Sequence, residues 1–304
     1  DNSNGSLQGP RHDAWWNNAL DEPDQLRQRV AFALSQIFVV SDTGYTLGNA
    51  QYGITGYYDA LREGAFGSYR DLLEDVTLHP VMGLYLSMLQ NDKGDPFGNT
   101  RADENFAREV LQLFSIGPHA LYADGTTRTS GDTPVASFTQ ENVESYARAF
   151  TGWNFASATR WDFPVLRSDA DKVRPMTPDE DHHDTDPKTL LGGVVTPAGA
   201  SAREDLRLAL DSIANHPNVG PFISGQLIRR LVTSNPTPAY VRRVASVFDD
   251  DGGGARGNLG AVVRAILLDP EAREGHESVP DFGKLREPVL RIGHLWRAFG
   301  ARPG

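Results

Sequence analysis

From Ala202 onward the chain repeats one pattern: apolar residues three and four apart, in blocks closed by proline. Arg203 to Asn215, Val219 to Thr233, Pro238 to Asp249, Asn258 to Leu268 and Phe282 to Phe299 each show an apolar spacing near the helical period of 3.6. Pro217, Pro236, Pro270 and Pro280 punctuate them, since proline has no N–H with which to continue a helix. The first half reads similarly, with longer interruptions. Asp24 is placed to cap a helix over Gln25 to Ser41, whose apolar residues run nearly all round and mark it as central and buried. After a Gly-rich connection over 42–56 come Tyr57 to Glu63, Tyr69 to Thr77 and Val81 to Gln90. His79, just before the break at Pro80, reads as a local hydrogen-bonder or, less simply, as a functional group. The fold class is therefore all-α: one large multi-helix domain over 24–304, preceded by an N-terminal arm over 1–23 that Trp15 and Trp16 anchor.

Charge and composition exclude several function classes. The 304 residues carry a net charge of −11, which argues against nucleic acid as a partner. No run is apolar enough for a membrane span; Val30 to Val40 is interrupted by Ser35 and Gln36 and is too short. With no cysteine, disulfides, thiolate catalysis and cysteine-ligated zinc are excluded. The abrupt Gly/Ser/Asn-rich opening at Asp1 suggests a trimmed or processed product. Gly-x-Ser-x-Gly, His-Glu-x-x-His and the dinucleotide glycine fingerprint are absent, which leaves carboxylate, histidine and arginine chemistry.

Two stretches concentrate that chemistry. Asp103 to Gly117 predicts a helix with Thr100 as cap, an apolar face of Phe106, Val110, Leu113 and Phe114, and Gly117 with Pro118 as its stop. Asn105, Glu109 and Gln112 share a polar strip beside that face, with Glu104 and Arg108 further round. Thr139 caps a second helix, Gln140 to Trp153, in which Glu144 and Arg148 form an i,i+4 pair. The matched triplets Phe106-Ala107-Arg108 and Tyr146-Ala147-Arg148 put a small residue where two helices can meet closely. The segment over about 154–200 is long, irregular and rich in Asp and Pro, and it holds Asp179-Glu180-Asp181-His182-His183-Asp184 followed by Lys188.

Each group admits two readings. His183 and Asp184 suit a divalent metal if a helix supplies a further carboxylate, for which Glu109 is the first candidate; otherwise they belong to a solvated acidic loop. Asn105, Arg108, Glu109 and Arg148 suit an anionic or sugar-like substrate, or else pair internally and tie two helices together. Trp153 stacks on a substrate ring or plugs the core.

Glu104 to Gly117, Ala147-Arg-Ala-Phe-Thr-Gly-Trp153, His183-Asp184 and Lys188-Thr-Leu-Leu-Gly192, in that order, resemble the bacterial family called domain of unknown function 1800. The stretches 24–36, 216–223, 226–232 and 284–288 carry the resemblance over most of the chain. It implies a mainly helical, secreted or periplasmic protein, often encoded beside a secreted alkaline-phosphatase-like protein, with no settled activity. Phe114 and the neighbourhood of Ala33-Leu34 stand where many members carry histidine. The resulting expectation has segment 154–200 packed across 101–117 and 139–153. There Glu109, His183 and Asp184 act as catalytic groups or metal ligands, and Asn105, Arg108, Arg148, Trp153 and Lys188 bind substrate. The activity expected is that of a hydrolase or lyase on an extracellular or envelope polymer such as a polysaccharide. The alternative is a non-catalytic scaffold that binds the alkaline-phosphatase-like protein, with the same residues as a buried ion-pair network.

Overall fold

The computed structural model describes residues 8–95, 97–98, 100–161 and 169–300. They are mostly α. The first group of helices is α1 (Gln8–Asp21), α2 (Gln25–Ser35), α3 (Tyr45–Gly48), α4 (Gln51–Glu63), α5 (Tyr69–Leu78) and α6 (Pro80–Tyr85). After them come α7 (Asn105–Gln112), α8 (Gln140–Ala149) and α9 (Ala202–Ala214). The last group is α10 (Val219–Leu231), α11 (Pro238–Asp249), α12 (Leu259–Leu268), α13 (Pro270–Ser278) and α14 (Pro288–Ala298). Two small antiparallel ladders accompany them: β1 (Thr129–Ser130) with β2 (Thr133–Pro134), and β3 (Trp153–Asn154) with β4 (Thr177–Pro178).

One continuous apolar core runs from Val30 in α2 to Ile266 in α12. As its all-round apolar pattern requires, α2 is central, packed on α4 and α10, while α10 leads on to α11 and α12. A second row, α7–α8–α9–α5, forms the other side. The matched triplets do meet: Ala107 and Ala147 are buried, and Phe106 lies edge-on to Phe150 at 5.2 Å.

Several boundaries differ from the sequence expectation. Residues 8–21 are not an arm but helix α1, held by Trp15 against Phe32 and Trp16 against Trp296 at ring distances of 5.8 and 4.9 Å. Helix α2 stops at Ser35, short of Ser41, and carbonyls just beyond its end are claimed from outside. Arg230 donates to the Gln36 carbonyl and Tyr57 to that of Phe38. Asp24 accepts from the Gln28 amide instead of capping the backbone. Gly53 and Gly56, inside α4, serve close packing, since a Cβ on Gly53 would meet Val81 at 2.9 Å and one on Gly56 would meet Val173 at 3.0 Å. Pro270 opens a helix, α13, at its first position, where the missing N–H costs nothing.

The described part of 154–200 contains no α-helix. It consists of β4 and tight 3-10 turns at Asp169–Lys172, Glu180–His182 and Leu191–Gly193. It is anchored point by point: Met176 donates its N–H to the Leu78 carbonyl, Lys93 donates to that of His182, and Glu180 accepts from the N–H of Ala202 at the start of α9. Residues 162–168 lie outside the described residues.

Candidate functional site

Where segment 179–188 passes between α8 and α9, its polar side chains turn inward. Gly152 makes this possible. Its φ is +80°, and a Cβ there would meet the Asp179 carbonyl at 2.9 Å and the His183 Cβ at 2.9 Å. The β3–β4 ladder, with Trp153 opposite Pro178, fixes the register just beyond.

The cluster is built around Asp205. Lys188 Nζ donates to Asp205 Oδ2 at 2.6 Å, and to the carbonyls of Asp184 and Asp186. His183 Nε2 stands 3.1 Å from the same carboxylate oxygen. On the other side of the ring, Nδ1 lies 3.0 Å from the Thr151 carbonyl and 3.2 Å from its hydroxyl. That hydroxyl donates to the Arg148 carbonyl at 2.7 Å and accepts from the Asp184 N–H at 2.9 Å. Both ring nitrogens are therefore engaged by oxygens. Arg148 closes the cluster with a fork to Asp184, at 2.7 and 2.9 Å. The side chains of His183, Lys188 and Asp205 are 0% exposed.

Burial pushes both carboxyls up, but their partners outweigh it. For Asp184 these are the Arg148 fork, the Asp186 N–H and Lys188; for Asp205 they are His183 and Lys188. Both carboxyls sit below the ordinary range. Asp205 Oδ1 has no hydrogen-bond partner among the described residues.

The other predicted site residues lie elsewhere. Arg108 does not face Asp184; it reaches Glu104 at 2.7 Å and Gln140 at 3.1 Å, tying α7 to α8. Asn105 is exposed at the start of α7, where its N–H caps onto Asp103, and Thr100 is not the cap. Glu109 makes no hydrogen bond or ion pair with His183 or Asp184 among the described residues. Its Oε2 is buried without a partner, and burial raises its pKa against the opposing pull of Arg108. Arg148 pairs with Asp184 rather than with Glu144, which accepts from Gln140 instead. Trp153 is the core plug: it is fully buried, with Arg203 over its ring at 5.7 Å. His182 stacks flat on Trp161 at 3.9 Å and pairs with Asp92.

The proposed metal ligands do not fit a divalent cation. His183 has both nitrogens engaged, Glu109 is not joined to it, and the Lys188 ammonium already occupies the carboxylate a cation would seek. Among the described residues no group of three His, Cys, Asp or Glu could hold a metal ion.

Asp205 and Thr151 escaped the sequence reading. Asp205 had a signal: it stands on the buried stripe of α9 with Ala202, Leu206, Ala209 and Ile213, where a carboxylate requires a partner. Thr151 had none, since a lone threonine after a helix is unremarkable until His183 reaches it.

The open surface offers a different site. A cleft of about 500 Å³ between α1, α2 and α4 is walled by Trp15, Trp16, Phe32, Tyr57 and Tyr58, with Arg11, Asp59 and Arg62 as polar lining.

Compared with protein families, residues 2–303 match the one described as Protein of unknown function (DUF1800). No curated protein and no solved structure matches the chain significantly.

Proposed function

The chain belongs to the DUF1800 family, and from that premise we propose that it is a non-catalytic binding protein of the bacterial envelope whose ligand is a sugar polymer held in the aromatic cleft. One observation carries the reading: the family-motif residues His183 and Lys188, with Asp205, have no exposed side-chain surface. A general base must reach the proton it removes, within about 3 Å or through one water. Sealed groups in mutual contact instead hold the crossing segment to α8 and α9. Hydrolase or lyase chemistry on a polymer would need Glu109, His183 and Asp184 to converge, and they do not share a hydrogen bond or ion pair.

The cleft has the lining a saccharide asks for. Flat aromatic faces cover the C–H faces of a pyranose ring, and guanidinium and carboxylate groups beside them take its hydroxyls. Affinity electrophoresis against soluble neutral and acidic polysaccharides tests this. Migration is expected to be retarded by at least one polymer, with retardation lost in Trp15→Ala and kept in Glu109→Gln. No retardation by any polymer, or release of new chain ends that His183→Ala abolishes, would overturn it.

One observation favours the second reading, a protein partner of the secreted alkaline-phosphatase-like kind. Ile292 and Leu295 on α14 and Phe299 just past its end lie exposed at i, i+3 and i+7. Retention of that protein on the immobilised chain, lost in Leu295→Asp and unaffected by Trp15→Ala, would move the function there.

A further inference from the structure

The molecule is strongly acidic, yet in one concavity the titratable residues of the lining are all basic. Between α2, α10 and α14 lies a pocket of about 200 Å³ to which Arg29, Arg230, Arg286 and His294 all contribute, with Gln36 beside them and no acidic residue in the lining. In a chain of net charge −11, chance would bring carboxylates to such a place. Surface arginines in this protein are otherwise mostly paired, as Arg70, Arg148 and Arg243 are.

The pairing of these groups is incomplete. The side chains of Arg29, Arg286 and His294 make no hydrogen bond or ion pair among the described residues. Arg230 is spent partly on Gln226 and on the Gln36 carbonyl, while its Nε is buried with no acceptor. The acid that acts on Arg230, Glu287, is held through Oε1 by Lys284 at 3.1 Å and Gln36 at 3.4 Å, while its Oε2 is buried without a partner among the described residues. Arg286 also stands two residues ahead of α14, at the positive end of that helix, where a cation without an anion is unfavourable.

The electrostatics agree with the geometry. Burial, then Arg297 and Arg286, lower the pKa of Arg29, and burial, then Arg286, Arg29 and Arg297, lower that of His294. Arg230 is lowered by burial and by Arg229, with Glu287 opposing. Arg29 and Arg286 therefore repel one another and hold His294 toward its neutral form, and that repulsion persists in the absence of an anion. Arginines from α2, α10 and the stretch before α14 line one space, smaller than a drug-sized ligand requires. A planar carboxylate satisfies one fork, whereas a tetrahedral oxyanion offers acceptors on every side.

We infer that the pocket between α2, α10 and α14 is a binding site for a phosphate or sulfate group, free or carried as a small ester. The inference is independent of the sugar reading; the two sites share only the Phe32 wall.

Isothermal titration of the chain in chloride buffer with inorganic phosphate, inorganic sulfate and glucose 6-phosphate tests it, on wild type, Arg29→Gln and Arg286→Gln. At least one probe is expected to bind at unit stoichiometry, and each variant to weaken it at least about tenfold, the loss of one charge-assisted contact. Tighter binding of the inorganic ions marks a free anion, and tighter binding of the sugar phosphate marks an ester. Neither arginine has a partner to orphan, so the variants should melt without ligand at or above the wild-type temperature. No binding of any probe at millimolar concentration, or binding unchanged in both variants, would overturn the site. So would a lower ligand-free melting temperature in both, which would make the arginines supports of the fold.

Discussion

At the scale of the residue, the decisive group is Asp205. It faces two cationic or hydrogen-bond-donating side chains inside the protein and has no contact with water. Breaking a buried pair from one side leaves the other charge uncompensated, which costs about 3–5 kcal/mol, whereas replacing both by apolar groups of similar size is often neutral. Asp205→Leu and Lys188→Met should each lower stability by about 3–5 kcal/mol in urea melts. The double variant Lys188→Met, Asp205→Leu should recover a large part of the loss. Additive losses would mean that the two side chains do not act as a unit. His183 and Lys188 were visible in the sequence because their types stand out in an irregular stretch. Their partners were less so, since nothing along the chain connects position 205 with 183 until the backbone folds.

At the scale of the element, local chemistry explains most of what forms. Helix α8 begins with a reciprocal capping box between Thr139 and Asn142, and α9 and α11 begin with serine and threonine caps. Gly117, at φ +73°, ends the turn after α7 with its N–H on the Leu111 carbonyl. These signals are read directly from residue order. The crossing segment is different, because it has no ladder or helix of its own over most of its length and depends on Gly152 to come close. Gly152→Ala forces a left-handed backbone that costs about 1–2 kcal/mol for an L residue. It also places a methyl group against His183 and the Asp179 carbonyl. The variant is expected to lose more than that amount of stability, with increased proteolysis near 179–188. Stability and cleavage like those of wild type would show that the close approach is not needed.

At the scale of the whole molecule, the buried charges make stability depend on acidity with a definite sign. Asp184 and Asp205 titrate lower in the folded chain than when unfolded. The unfolded state therefore takes up protons first as pH falls. Their contribution is fully present above the ordinary carboxylate value of about 4, and is lost as pH drops below it through their native values. Glu109 has the opposite sign: its raised pKa means that protonation relieves a buried charge, so stability gains slightly as pH falls through that value. Melting temperature should thus hold or rise a little on mild acidification and then fall steeply below about pH 4. The fall should be blunted in the Lys188→Met, Asp205→Leu variant. An unblunted fall would assign acid unfolding to other carboxylates.

The all-α class, the central position of α2, the contact of α7 with α8 and the family were all determined by residue order, because period, caps and proline breaks act over a few neighbours. Which charged side chains meet was decided only by tertiary structure. Arg148 had Glu144 in helical reach and chose Asp184, because the crossing segment brings a carboxylate out of water, where a fork is worth more than on an exposed helix face. Three arginines and a histidine from separate regions of the chain likewise came to line one pocket only when α2, α10 and α14 packed together. Electrostatic partnership depends on distance in space and on exclusion of water, and neither is written along a chain.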